Sequence, residues 1–84
     1  MLKITRATNG GVVLKLSGRM DAENLGELKA LLDAETGENI VLELKDLTLV
    51  DQDVVSFLRR CETEGILLRD CPAYIREWIN GQRQ

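Results

Sequence analysis

The feature that most constrains the fold is an almost continuous apolar run, IVLEL at residues 40–44, which lies between two segments of helical period. Such a run is typical of a strand covered on both faces, and short connections from helix to strand favour βαβ units with parallel strands. We therefore predict an α/β fold, in which helices cover a small mixed β-sheet.

The first sixteen or so residues predict a β-hairpin. Residues 2–6 and 12–16 alternate apolar and polar side chains or are rich in Val and Leu, as strands are. Asn9, Gly10 and Gly11 between them tolerate positive φ, which a tight turn requires.

The first helix is predicted after Ser17, Gly18 and Arg19, where leucines recur at helical spacing. Asp21 fits its N-cap, because a carboxylate can accept from the free amides of the first turn, and Gly37 fits its end.

The spacing of apolar residues changes from that of a strand to that of a helix at Asp51. Four apolar residues after it fall on one helical face: Val54, Val55, Leu58 and Cys61. This second helix should end before Gly65. Residues 66–68 predict a short strand, and Pro72 suits the first turn of a third helix. This helix is expected to pack Trp78 on the sheet, and the alternative is a partly exposed Trp78 that serves as an interface anchor. The predicted order is ββαβαβα, in a single domain over residues 1–84.

Composition limits the function. At 84 residues there is little room for a deep substrate cavity. A net charge of -3 argues against electrostatic binding to nucleic acid. No apolar run approaches the roughly 20 residues that span a bilayer, and the first residues lack the apolar core of a signal peptide. We expect a cytoplasmic protein without membrane insertion.

The residue types also argue against catalysis and metal binding. The chain has no His, and Cys61 and Cys71 form no CxxC pair, so both are expected to be reduced packing residues. Asp51 and Asp53 alone offer too few oxygens for a divalent cation. We predict no catalytic residue, no metal and no cofactor.

Two segments, LKLSGRMDAENLGELKALL and NIVLELKDLTLVDQDVVSFLRRCETEG, together resemble the STAS domain of sulfate transporters and anti-sigma factor antagonists. The resemblance covers nearly the whole chain. It implies that the region around the start of the second helix faces a protein partner. It also implies that a Ser or Thr directly after the Asp is phosphorylated by a partner kinase. That position is Gln52 here, and the small residue and Gly that often follow are Asp53 and Val54.

The two carboxylates at this junction have a structural explanation as well. Asp51 is placed to cap the second helix, and Asp53 interacts favourably with the helix dipole. A further hypothesis is that the charge of Asp53 holds the surface in a permanently phosphorylated-like state.

The preferred interpretation is a non-catalytic interaction module similar to anti-sigma factor antagonists and not switched by phosphorylation at the usual site. Its expected partner is an anti-sigma factor of the kinase type, and the expected contact residues are Asp51, Gln52, Asp53, Val55 and Ser56. One alternative is an accessory subunit that docks on the ATPase of a lipid-transport complex. Another is a homodimer formed through the second and third helices.

Overall fold

The protein is a small α/β domain in the predicted order ββαβαβα. A computed structural model describes residues 2–8, 10–35 and 39–81. The elements are β1 (Leu2–Thr8), β2 (Val12–Met20), α1 (Ala22–Ala34), β3 (Ile40–Val50), α2 (Gln52–Thr63), β4 (Leu67–Arg69) and α3 (Ala73–Gly81). The sheet has the order β1-β2-β3-β4, with β1 antiparallel to β2 and the other pairs parallel.

All three helices pack on one face of the sheet. The crossovers from β2 to β3 and from β3 to β4 step in the same direction, and right-handed crossovers then place both helices on the same side. A single core cluster joins inward-facing strand residues, such as Leu14 and Leu42, to Leu28, Leu58 and Ile75 of the helices. The expectation that the central strand is covered on both faces is therefore wrong.

The strands β2 and β3 are longer than predicted. They continue to Met20 and Val50, which pair with each other. Two irregularities in the register, between Lys15 and Ser17 and between Gly18 and Arg19, interrupt the alternation that sequence periodicity relies on. As a result, only one residue separates each strand from the helix that follows it.

The turns agree with the prediction where they are described. Gly10 has a φ of 74° at the hairpin. The helix α2 ends in a Schellman motif, in which the N–H of Ile66 donates to the carbonyl of Cys61 at 2.9 Å. Gly65 occupies the left-handed position of that motif with a φ of 96°. Asn9 and Gly37 lie outside the described residues.

The third helix departs from its prediction at Trp78. Ile75 and Ile79 are buried, but Trp78 is 37% exposed and lies outside the core cluster. Pro72 precedes the helix, and its carbonyl accepts from the third and fourth residues that follow it. The hydroxyl of Tyr74 donates to the backbone carbonyl of Thr48 at 2.5 Å, which ties α3 to β3. None of the described helices is long and apolar enough to cross a membrane.

Two leucines of β3 test the one-sided core. Leu44 is fully buried and Leu49 is 54% exposed. We expect Leu44→Ala to lower the free energy of unfolding by about 2 to 5 kcal/mol, because it leaves a cavity. The matched control Leu49→Ala should cost about 1 kcal/mol or less. Urea denaturation followed by circular dichroism measures both, and equal losses would contradict the described core.

Candidate partner-binding site at the start of α2

The site is built where β2 and β3 end side by side. Because these strands are parallel and Met20 pairs with Val50, the helices that follow them begin next to each other. Asp21 and Asp51 are the single residues at these two junctions, and both have extended backbones.

The carboxylate of Asp51 binds both helix N-termini. Its Oδ1 accepts from the N–H of Val54 at 3.0 Å, which is the predicted cap of α2. Its Oδ2 accepts from the N–H of Ala22, the first residue of α1, also at 3.0 Å. The second bond was not predicted, because it depends on the pairing of two strands that lie far apart in sequence. Asp51 therefore satisfies one unpaired donor in each of two helices.

Asp21 forms the predicted cap of α1. Its side chain accepts from the N–H of Glu23 at 3.1 Å, while the side chain of Asn24 accepts from the N–H of Asp21 at 3.1 Å. This reciprocal arrangement is a capping box, with Asn in the place usually taken by Glu or Gln.

The remaining predicted contact residues divide into surface and core. Gln52 and Asp53 are exposed in the first turn of α2, and Ser56 is exposed one turn later. Val55 is fully buried among core side chains, so it offers no contact surface and has to be removed from the set. Asp51 is half-buried, and both of its carboxylate oxygens already accept hydrogen bonds.

A groove between α1 and α2 adjoins these exposed residues. A depression of about 340 Å³ is lined by Leu25, Lys29, Asp53, Ser56, Phe57 and Arg60. A second depression, of about 330 Å³, shares Lys29, Phe57 and Arg60 and continues towards the end of α2. We call these two depressions the α1–α2 groove.

The centre of the α1–α2 groove combines an aromatic ring with two cations. The Nζ of Lys29 lies 5.6 Å from the centroid of the Phe57 ring, which is within the range of a cation–π contact. Among the described residues, neither Lys29 nor Arg60 takes part in an ion pair. The centre of the groove can therefore offer apolar surface and positive charge to a ligand, with the negative charges of Asp53, Asp33 and Glu64 elsewhere along its lining.

Sequence reasoning missed Lys29, Phe57 and Arg60 as candidates. Lys29 follows Leu25 by one helical turn, and Phe57 stands between Val54 and Cys61 at helical spacing, so both border their helix's apolar stripe. That local signal places each residue beside the core but does not show that the two helices bring them together.

The described residues show no metal site and no activated thiol. Within the described ranges, no group of three or more acidic, Cys or His side chains could hold an ion. Burial raises the pKa of Cys61 to about 11 and also raises the pKa of Cys71. Both thiols are free, and both are protonated at neutral pH, so neither is a ready nucleophile.

Comparisons with known proteins add no assignment. No protein-family model matches the chain, and a search of curated proteins finds no significant match.

The double cap predicts an order of stabilities. Asp51→Ala removes an acceptor from two helices, and we expect it to lower the free energy of unfolding by about 2 kcal/mol. Asp21→Ala removes one such acceptor and should cost about 1 kcal/mol. Asp51→Asn should fall between wild type and Asp51→Ala, because its amide has one oxygen and can accept from only one of the two helices.

Urea denaturation of the three variants beside the wild type measures this order. An Asp51→Asn variant as stable as the wild type would contradict the shared carboxylate.

Proposed function

We propose that this protein is a cytoplasmic, non-catalytic binding module of the STAS type. It associates with a protein partner, as anti-sigma factor antagonists do. The contact surface consists of Gln52, Asp53 and Ser56 together with the adjoining α1–α2 groove.

The proposal rests on the difference between Asp51, which caps helices, and its exposed neighbours at the start of α2. Asp51 is occupied by two caps, which hold the first turn of the helix in place. Gln52 and Asp53 remain exposed on that turn, at the position where the family resemblance locates the partner surface. Because a partner would find the surface already ordered, little conformational entropy would be lost on binding.

The chemistry of the α1–α2 groove supports a protein partner. Phe57 supplies a partly buried aromatic surface, and Lys29 and Arg60 supply positive charge beside it. A segment that carries an apolar side chain and a carboxylate would match this arrangement, with polar contacts at the rim.

Phosphorylation at the usual position plays no part in this proposal. Gln52 has no hydroxyl, so a Ser/Thr kinase cannot modify it, and binding is constitutive with respect to this site. A single carboxylate at Asp53 carries less charge than a phosphate, but it lies on the same exposed turn.

The first test is affinity purification of the tagged protein from its own cells, followed by mass spectrometry. We expect a partner that is recovered with the wild type and reduced at least tenfold with Asp53→Lys, because the longer lysine side chain obstructs close contact at the first turn of α2. The control Glu77→Lys makes the same change of charge on an exposed position of α3 and should recover the partner fully. Thermal denaturation of each variant confirms that it is folded.

The identity of the partner separates the candidate systems. An anti-sigma kinase would support the signalling function, whereas the ATPase of a lipid-transport complex would favour the accessory-subunit alternative. A partner that both variants retain equally would contradict the proposed surface, and the absence of any partner would contradict the proposed function.

The charge of Asp53 can be tested separately once an anti-sigma kinase is available. If the carboxylate imitates a phosphate, Asp53→Asn should tighten binding several-fold, because it removes a repulsive charge and keeps the shape. Isothermal titration calorimetry measures the affinity, with Glu77→Gln as the matched control. Unchanged affinity would reject the phosphate-like role of Asp53.

A further inference from the structure

The face of the sheet opposite the helices carries two rows of residues that run across all the strands. None of the described elements covers this face. The strand register places Ala7, Val13, Val41 and Leu67 side by side in an apolar row. The neighbouring row, two residues along each strand, is Thr5, Lys15, Glu43 and Arg69. We call this surface the open face.

Burial and contacts confirm that these residues share the open face. Val13 is 8% exposed but does not belong to the core cluster under the helices. Leu67 is 59% exposed, although it is a large apolar side chain in a strand. A depression of about 320 Å³ is lined by residues of both rows, including Ala7, Val13, Lys15, Val41 and Arg69.

The charged row alternates in sign. Glu43 forms an ion pair with Arg69 on one side, and its Oε2 lies 4.0 Å from the Nζ of Lys15 on the other. The bond from Arg69 holds the pKa of Glu43 below its usual value, so this carboxylate is ionised at neutral pH.

We propose that the open face binds a second copy of this chain, about a two-fold axis that runs between β2 and β3 and parallel to the strands. The proposal is independent of the partner surface at the start of α2, which lies on the helical side of the sheet.

This axis makes the apolar rows complementary in size. It reverses the order of the strands, so that β2 faces β3 and β1 faces β4 of the second copy. Val13 then lies opposite Val41 of the second copy, and the long side chain of Leu67 lies opposite Ala7, which leaves room for it.

The same axis makes the charged rows complementary in sign. Lys15 lies opposite Glu43 of the second copy, and this contact occurs twice by symmetry. Arg69 lies opposite Thr5 of the second copy and diagonal to its Lys15. The charges directly opposite each other across the interface are therefore of opposite sign, which favours this register of the two copies.

Other two-fold axes in the plane of the sheet that overlap at least three strands give unfavourable contacts. An axis directly over β2 or β3 would place Lys15 on Lys15 or Glu43 on Glu43. An axis perpendicular to the strands would either stack like charges on each other or lay the charged row on the apolar row. Among the arrangements that overlap all four strands, the pattern of charge and size thus favours the axis between β2 and β3, and two sheets packed in this way match the aligned class of sheet sandwiches.

The size of the open face implies a weak dimer. Four strands about 4.8 Å apart and roughly seven residues long on average, with β4 the shortest, offer at most about 500 Å² per copy, or about 1,000 Å² in total. This is near the lower limit for a specific interface, so a dissociation constant on the order of micromolar is expected. The dimer would present two α1–α2 grooves on opposite outer surfaces.

Variants with reversed charges at positions 15 and 43 test this arrangement. Analytical ultracentrifugation measures their self-association from about 1 µM to about 500 µM, a range that brackets micromolar affinity. We expect the wild type to change from monomer to dimer over this range. Lys15→Glu and Glu43→Lys should each weaken self-association at least tenfold, since each places like charges opposite each other. An equimolar mixture of the two variants should dimerise again, because Glu at position 15 of one chain then faces Lys at position 43 of the other.

The recovery in the mixture also shows that both variants are folded. Glu77→Lys on α3 is the control and should dimerise as the wild type does. A wild type that remains monomeric at the highest concentration would overturn the proposal. Variants that dimerise as tightly as the wild type, or a mixture that stays monomeric, would overturn it as well.

Discussion

The arrangement of both crossover helices depends on the carboxylate of Asp51. Two parallel strands that end together bring two helix N-termini side by side, and each carries unpaired N–H groups and a partial positive charge that repels the other. One anion with two oxygens resolves both problems, since it accepts from Val54 in α2 and from Ala22 in α1. A neutral residue at this position would remove the one negative charge that both positive ends share, and leave only the separate charges of Asp21 and Asp53 at each helix.

This use of Asp51 determines which side chains are free to act. The half-buried carboxylate of Asp51 bonds to two helices, so a partner that displaced it would loosen both. Gln52 and Asp53 lie directly beside it, in the same rigid turn, but point to solvent. The junction therefore combines an internal structural anion with an external polar surface, and a contact on the second does not disturb the first.

Local patterns predict the type of each element, because the helical periods of α2 and α3 are strong and Asp21, Asp51 and Gly65 mark helix ends. The sequence pattern underestimates the lengths of β2 and β3, because the register irregularities near Ser17 and Gly18 break the alternation of apolar and polar side chains. Local sequence patterns cannot predict the residues that join the site only because one helix packs on another. Lys29 and Phe57 meet only because α1 and α2 begin together, and Val55 follows a buried neighbour yet was assigned to the surface through the resemblance.

Among the described strands, the unequal lengths of the last two leave part of β3 without a paired strand on one side. β4 has three residues and β3 has eleven, and only Val41, Leu42 and Glu43 of β3 pair with β4. An edge of this kind invites strand addition and aggregation. The hydroxyl of Tyr74 donates to the carbonyl of Thr48 on that stretch, so this acceptor is not available to an added strand. The third helix thus withdraws one backbone acceptor of β3 from the edge as well as contributing Ile75 and Ile79 to the core.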